Sequence, residues 1–111
     1  MNLLFIIPFL FTNILTKTIA HNDRIAIHCD GSYIIQKTTS KRILIEVKYS
    51  NDAPVRLQEY IKKRYQIHSI EHEYVTDIII NKPKTKIIYH GKEIKESIKA
   101  TIYVPENVMV E

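Results

Sequence analysis

The sequence predicts an all-β domain: an antiparallel β-sandwich of about seven strands, with one short helix near residues 55–65. Three observations carry this. Beyond residue 20 the chain is rich in Ile, Val, Tyr and Thr, while Gly and Leu occur twice each, a composition suited to a pleated, half-buried surface. The stretch "RILIEVKY" (42–49) alternates, with Ile43, Ile45, Val47 and Tyr49 on one face and Arg42, Glu46 and Lys48 with Leu44 on the other. Only one segment has the spacing of an amphipathic helix.

The first twenty residues are expected to lie outside the fold. "LLFIIPFLFTNIL" is apolar but too short to span a bilayer comfortably, and Pro8 interrupts it. Thr18 and Ala20 supply the small residues of a cleavage site at its −3 and −1 positions. Residues 1–20 therefore read as a signal peptide, with a signal anchor as the alternative, and residues 21–111 as one mature domain beginning at His21. The product is expected to be secreted and extracellular, without stable membrane insertion.

Within the mature portion, "RIAIHC" (24–29) alternates as a first strand closed by the Asp30-Gly31 turn signal. The strand at 42–49 stops at "SNDAP", which has turn chemistry. "VRLQEYIKKRY" (55–65) comes next, with Leu57, Tyr60, Ile61 and Tyr65 on one stripe; a strand is the competing assignment. "YVTDIII" (74–80) is β-prone, and Pro83 confines its own neighbourhood to an edge or a loop because it cannot donate to a ladder. "KTKIIYH" (84–90) and "SIKATIYV" (97–104) are joined by "GKEIKE", and Ile98, Ala100, Ile102 and Val104 share a face. The sequence shows no internal repeat, linker or low-complexity tract.

One stretch, "HSIEH" (68–72), matches the H-x-x-E-H pattern of zinc peptidases. On a helix His68 and His72 would stand about 6 Å apart along the axis and could share an ion. On a strand they stretch to about 13 Å, too far for ligands that must each sit about 2.1 Å from zinc. Ile67, Ile70, Tyr74 and Val75 favour the extended form, and the chain is too short to supply a third ligand on a distant helix. Neither a zinc site nor a protease is expected. A catalytic pair of His28 and Cys29 fails because strand neighbours point to opposite faces. No phosphate-cradling loop can be built from two isolated glycines. No catalytic residue, metal ligand or cofactor is assigned.

Sixteen basic and twelve acidic residues give a formal charge of +4. Without residues 1–20, and so without Lys17, fifteen basic residues face the same twelve acidic ones. The clusters "KKR" (62–64) and "KPKTK" (82–86) read as solvated faces, and nucleic acid is not an expected partner. Cys29 is the single cysteine, so it reads as a buried thiol or as a bridge to another chain. No glycosylation sequon occurs.

"IAIHCDGSYIIQKTTSKRILIEVKY" and "IEHEYVTDIIINKPKTKIIYHG" followed by "KEIKESIKATIYVPENVMVE" together resemble the nematode transthyretin-like family. The matching residues are Cys29, Gly31, Ile45, Val47 and Tyr49 at the front, and Pro83, Ile87, Tyr89, His90, Thr101, Ile102 and Pro105 behind. The likeness spans roughly residues 24–108. This chain departs from the family pattern at Lys92, which stands where a disulfide partner for Cys29 would be. It departs again at "YIKKR" in place of a turn, and the resemblance leaves one further sheet strand unaccounted for after the last match. The resemblance implies a secreted transthyretin-like sandwich that carries no catalytic residues. The hydrolases that share that fold end in Tyr-Arg-Gly-Ser, whereas this chain reads "NVMVE". The function expected is a non-enzymatic module binding an extracellular protein, lipid or cell-surface ligand. The alternative is a self-associating protein that forms a homo-oligomer through an open sheet edge or Cys29. Tyr33, Tyr60, Tyr65, Tyr74 and Tyr103 are candidate contacts, with no site assigned among them.

Overall fold

The computed structural model describes residues 10–111. Its strands are β1 (Phe11–Ile19), β2 (Arg24–Cys29), β3 (Ser32–Thr38), β4 (Ile43–Asn51), β5 (Ile67–Glu71), β6 (Thr76–Ile80), β7 (Ile88–Tyr89), β8 (Lys92–Glu93), β9 (Glu96–Pro105) and β10 (Met109–Val110). A 3₁₀ turn (Val55–Leu57) leads into a short helix, α1 (Gln58–Lys62), between β4 and β5. Two four-stranded sheets are ordered β1-β4-β9-β3 and β10-β2-β6-β5, and β7 and β8 form a small hairpin.

The all-β sandwich stands, and the alternation that predicted it explains why. Ile43, Ile45, Val47 and Tyr49 of β4 and Ile98, Ala100, Ile102 and Val104 of β9 are buried in one cluster with Ile25, Ile67, Ile78 and Ile80 of the other sheet. Removing an isoleucine side chain from water contributes about 1.5–3 kcal/mol. A one-residue slip of either central strand would turn that whole set outward, so the pattern fixes the register.

Strand direction differs from the expectation of a purely antiparallel fold. β1–β4, β4–β9, β5–β6 and β7–β8 are antiparallel. However, β2–β6, β2–β10 and β3–β9 are parallel. The physical reason lies at the Asp30-Gly31 turn. Instead of closing a hairpin, it carries the chain from β2 in one layer to β3 in the other, so both strands find partners distant in sequence. A Cβ at Gly31 would collide with the carbonyl oxygen of Ile98, so glycine there lets β3 lie against β9. Alternation reports which face a residue occupies and carries no information on direction.

The N-terminus also differs from the expectation that the fold begins at His21. The apolar start of the expected signal peptide, residues 1–9, lies outside the described residues. Phe11–Ile19, though, pairs along its whole length with β4. Ile19 is buried at its end.

The expected helix is present but brief. Ile61 is buried as its stripe requires, whereas Tyr60 is 57% exposed. What holds this crossover is polar. Asn51 and Gln58, both buried, exchange amide hydrogen bonds: Asn51 Nδ2 donates to Gln58 Oε1 at 3.0 Å and Gln58 Nε2 donates to Asn51 Oδ1 at 2.8 Å. Beyond α1, Arg64 meets Glu96 at 2.8 Å with both side chains only 8% exposed. In the β7–β8 hairpin, His90 (φ 49°) and Gly91 (φ 75°) both take positive φ, as a two-residue type I′ turn requires.

Because breaking one side of a buried ion pair strands the other charge, Glu96→Ala is expected to cost about 3–5 kcal/mol of stability. The double variant Arg64→Met/Glu96→Leu should recover most of it. Urea denaturation of the three chains checks both.

Candidate functional site: the two edges of one sheet

The sheet β1-β4-β9-β3 has two outer strands, and they are alike. β3 reads "SYIIQKT" and pairs only with β9 among the described residues. Its other edge therefore presents unpaired N–H and C=O groups. Three consecutive apolar side chains on it are exposed: Tyr33 (42%), Ile34 (57%) and Ile35 (40%). A long apolar edge of this kind is a template for pairing with another chain.

Directly opposed residues in neighbouring strands share a face, so the register assigns every side chain. Ile35 and Lys37 stand opposite the buried Ile102 and Val104 and point to the inner layer; Ile34 and Gln36 point outward. On β1, Leu15 and Lys17 stand opposite the buried Val47 and Ile45 and also point inward. The two strands thus carry one pattern, "ILTKT" (14–18) and "IIQKT" (34–38), with each residue on the same face. Both lysines cross to the other layer: Lys17 Nζ donates to the Ile67 carbonyl at 2.9 Å, and Lys37 Nζ to the Val108 carbonyl at 2.6 Å. The strands also run the same way. β1 opposes β4, β4 opposes β9, and β9 parallels β3. In the sequence alone this short correspondence does not stand out among so many Ile, Thr and Lys.

The second sheet carries a side-chain cluster on its outer face. Asp77 of β6 accepts from His28 Nε2 at 3.2 Å on one carboxylate oxygen and from His72 Nε2 at 2.8 Å on the other. The hydrogen bond from His28, followed by the bond and charge of His72, holds the Asp77 carboxyl below its ordinary range. Residues 67–71 are a strand, as the spacing argument for "HSIEH" requires. His68 stands opposite Ile79 and takes no part in the cluster; Glu71 is exposed. Each imidazole points at a different oxygen, an arrangement that braces β2, β6 and the β5–β6 turn. Among the described residues no three His, Cys, Asp or Glu side chains are placed to hold a metal ion.

Cys29 is half-buried and packs against the core, opposite Ile80 and on the face away from His28. Burial pushes its thiol up. Of the candidate tyrosines, Tyr65 is buried and stacks on Tyr49 with ring centroids 4.2 Å apart. Tyr60, on α1, and Tyr74, between β5 and β6, are exposed. Only Tyr33 lies on an open strand.

The fold is that of a two-layer, mixed-direction β-sandwich whose β3 edge is open and apolar. No family model matches the chain, and no curated protein matches it. Among solved structures it is similar to a candidate adhesin from Parabacteroides distasonis (TM-score 0.49, 8% identity), covering 89% of this chain and 33% of that one. It is also similar to a candidate cell adhesion protein from Clostridium sporogenes (TM-score 0.48, 8% identity), covering 90% of this chain and 45% of that one. This chain therefore spans less than half the length of either.

Asp77 binds its proton more weakly in the folded chain than its ordinary value. Its stabilisation is therefore complete above the ordinary carboxylate range and is lost as pH falls through the lowered value. Denaturation across that acid range should show a smaller loss for Asp77→Asn than for the wild type.

Proposed function

We propose that this chain is a secreted, non-enzymatic module that binds an extracellular protein by adding an extended segment of that partner to the free edge of β3. One observation carries the reading: a seven-residue strand with an unpaired edge and three exposed apolar side chains in succession. Strand addition draws affinity from main-chain hydrogen bonds and specificity from alternate side chains. Tyr33 suits such a contact, since its ring is apolar and its hydroxyl can stay wet. The reading of residues 1–20 as a signal peptide and the transthyretin-like resemblance support the extracellular address.

Labelled heptapeptides of alternating β-branched and polar residues, monitored by fluorescence anisotropy, test the surface. The wild type should bind them, a peptide with a central proline should not bind, and Ile34→Glu/Ile35→Glu should weaken binding at least about tenfold, a loss of about 1.4 kcal/mol. Equal binding by that variant removes β3 as the site. Mass spectrometry of the exported chain should place its first residue at His21; an intact N-terminus would refute the secretory processing.

A further inference from the structure

We propose that the segment added to this sheet comes from a second copy of the chain: β3 of one molecule takes, on β4 of another, the place that β1 holds. This rests on the β3 edge being the binding surface and names its occupant. The argument is geometric. In a strand of L-residues, chain direction and side-chain face together fix the lateral side toward which each N–H and C=O points. β1 and β3 share both the direction and the facing, so residues 34–38 of a second copy present to β4 the hydrogen-bonding groups that residues 14–18 present.

The register is the one observed for β1. Ile35 of the incoming copy stands opposite Val47, Lys37 opposite Ile45, Gln36 opposite Glu46 and Ile34 opposite Lys48. Lys37 arrives where Lys17 reaches the Ile67 carbonyl. At one end the exchange replaces the buried Ile19 with Thr39, a loss. At the other it replaces Asn13, which stands opposite the buried Tyr49, with the exposed Tyr33. Two apolar residues of β3 that stand in water, Tyr33 and Ile35, gain a neighbour strand.

β1 is the gate. While it is seated, β4 is paired along its length and cannot receive a second β3. Cleavage after Ala20 removes β1 and exposes the β4 edge on the side of the sheet opposite the free edge of β3. An interface between unlike surfaces does not close on itself under a two-fold axis, so it propagates. The expected product is an open-ended row of copies joined through one continuous sheet.

The test uses full chains carrying Cys29→Ser. An acceptor carries Leu15→Pro/Thr16→Pro, which unseats β1 whichever residue faces β4, together with Ile34→Glu/Ile35→Glu to block its own β3. The donor keeps native β1 and β3. Each should be monomeric alone, and the mixture should sediment as a 1:1 dimer. Gln36→Cys on the donor should form a disulfide with Glu46→Cys on the acceptor and not with Lys48→Cys. Should circular dichroism show the acceptor unfolded, a protease site placed between Ala20 and His21 opens β4 in the folded native chain. Cutting there should turn monomer into growing oligomers, and the Ile34→Glu/Ile35→Glu form should stay monomeric. Absence of the dimer with a folded acceptor, or of growth after cutting, overturns the proposal. If the heptapeptides still bind β3 in that case, the strand-addition function survives; if they do not, both fall.

Discussion

The antiparallel contact between β4 and β9 is the constraint on which the rest of the molecule depends. These are the two inner strands of their sheet, and their facing positions, Ile45 with Ile102, Val47 with Ala100 and Tyr49 with Ile98, supply most of one wall of the core. Every other element takes its place relative to them. β1 and β3 flank them, Asn51 at the end of β4 anchors Gln58 of α1, and Glu96 at the start of β9 receives Arg64. The second sheet closes the core from the opposite side through Ile25, Ile67, Ile78 and Ile80. The outer strands lie beside this pair and not within it.

Elements buried on one face were readable from residues alone. β2, β4 and β9 alternate cleanly because water on one side and packing on the other select opposite residue types at successive positions. β3 was not read, since neither of its faces is covered and "SYIIQKT" has no alternation to display. Direction was not readable anywhere. Whether Asp30-Gly31 closes a hairpin or crosses between layers is decided by what β3 meets, and Ile98 lies far along the chain. Residues 11–19 carry a pattern compatible with both export and a strand, because both accept apolar residues with little charge.

The histidines show how far spacing can carry an inference. The strand over residues 67–71 puts His68 in the sheet, while His72 lies just past it in the turn. Spacing says nothing about which carboxylate His72 meets, because Asp77 reaches it around a turn and His28 arrives from a strand much earlier in the chain. The likeness of β1 to β3 was hidden for a different reason. Five residues are too few to stand out in a chain so rich in Ile, Thr and Lys, and only the shared facing and the two crossing lysines give the match meaning.

The path of the chain between layers has a kinetic consequence. It visits the first sheet, then the second, then the first again, and later repeats the alternation, so neither layer is assembled from one contiguous stretch. Loop-closure entropy is spent before the parallel pairs of β3 with β9 and β2 with β6 return anything. Such non-local pairing favours slow folding. A nascent chain still lacking residues 96–105 has no sheet partner for β3 or for the second edge of β4, leaving both edges exposed to other molecules until synthesis passes that point.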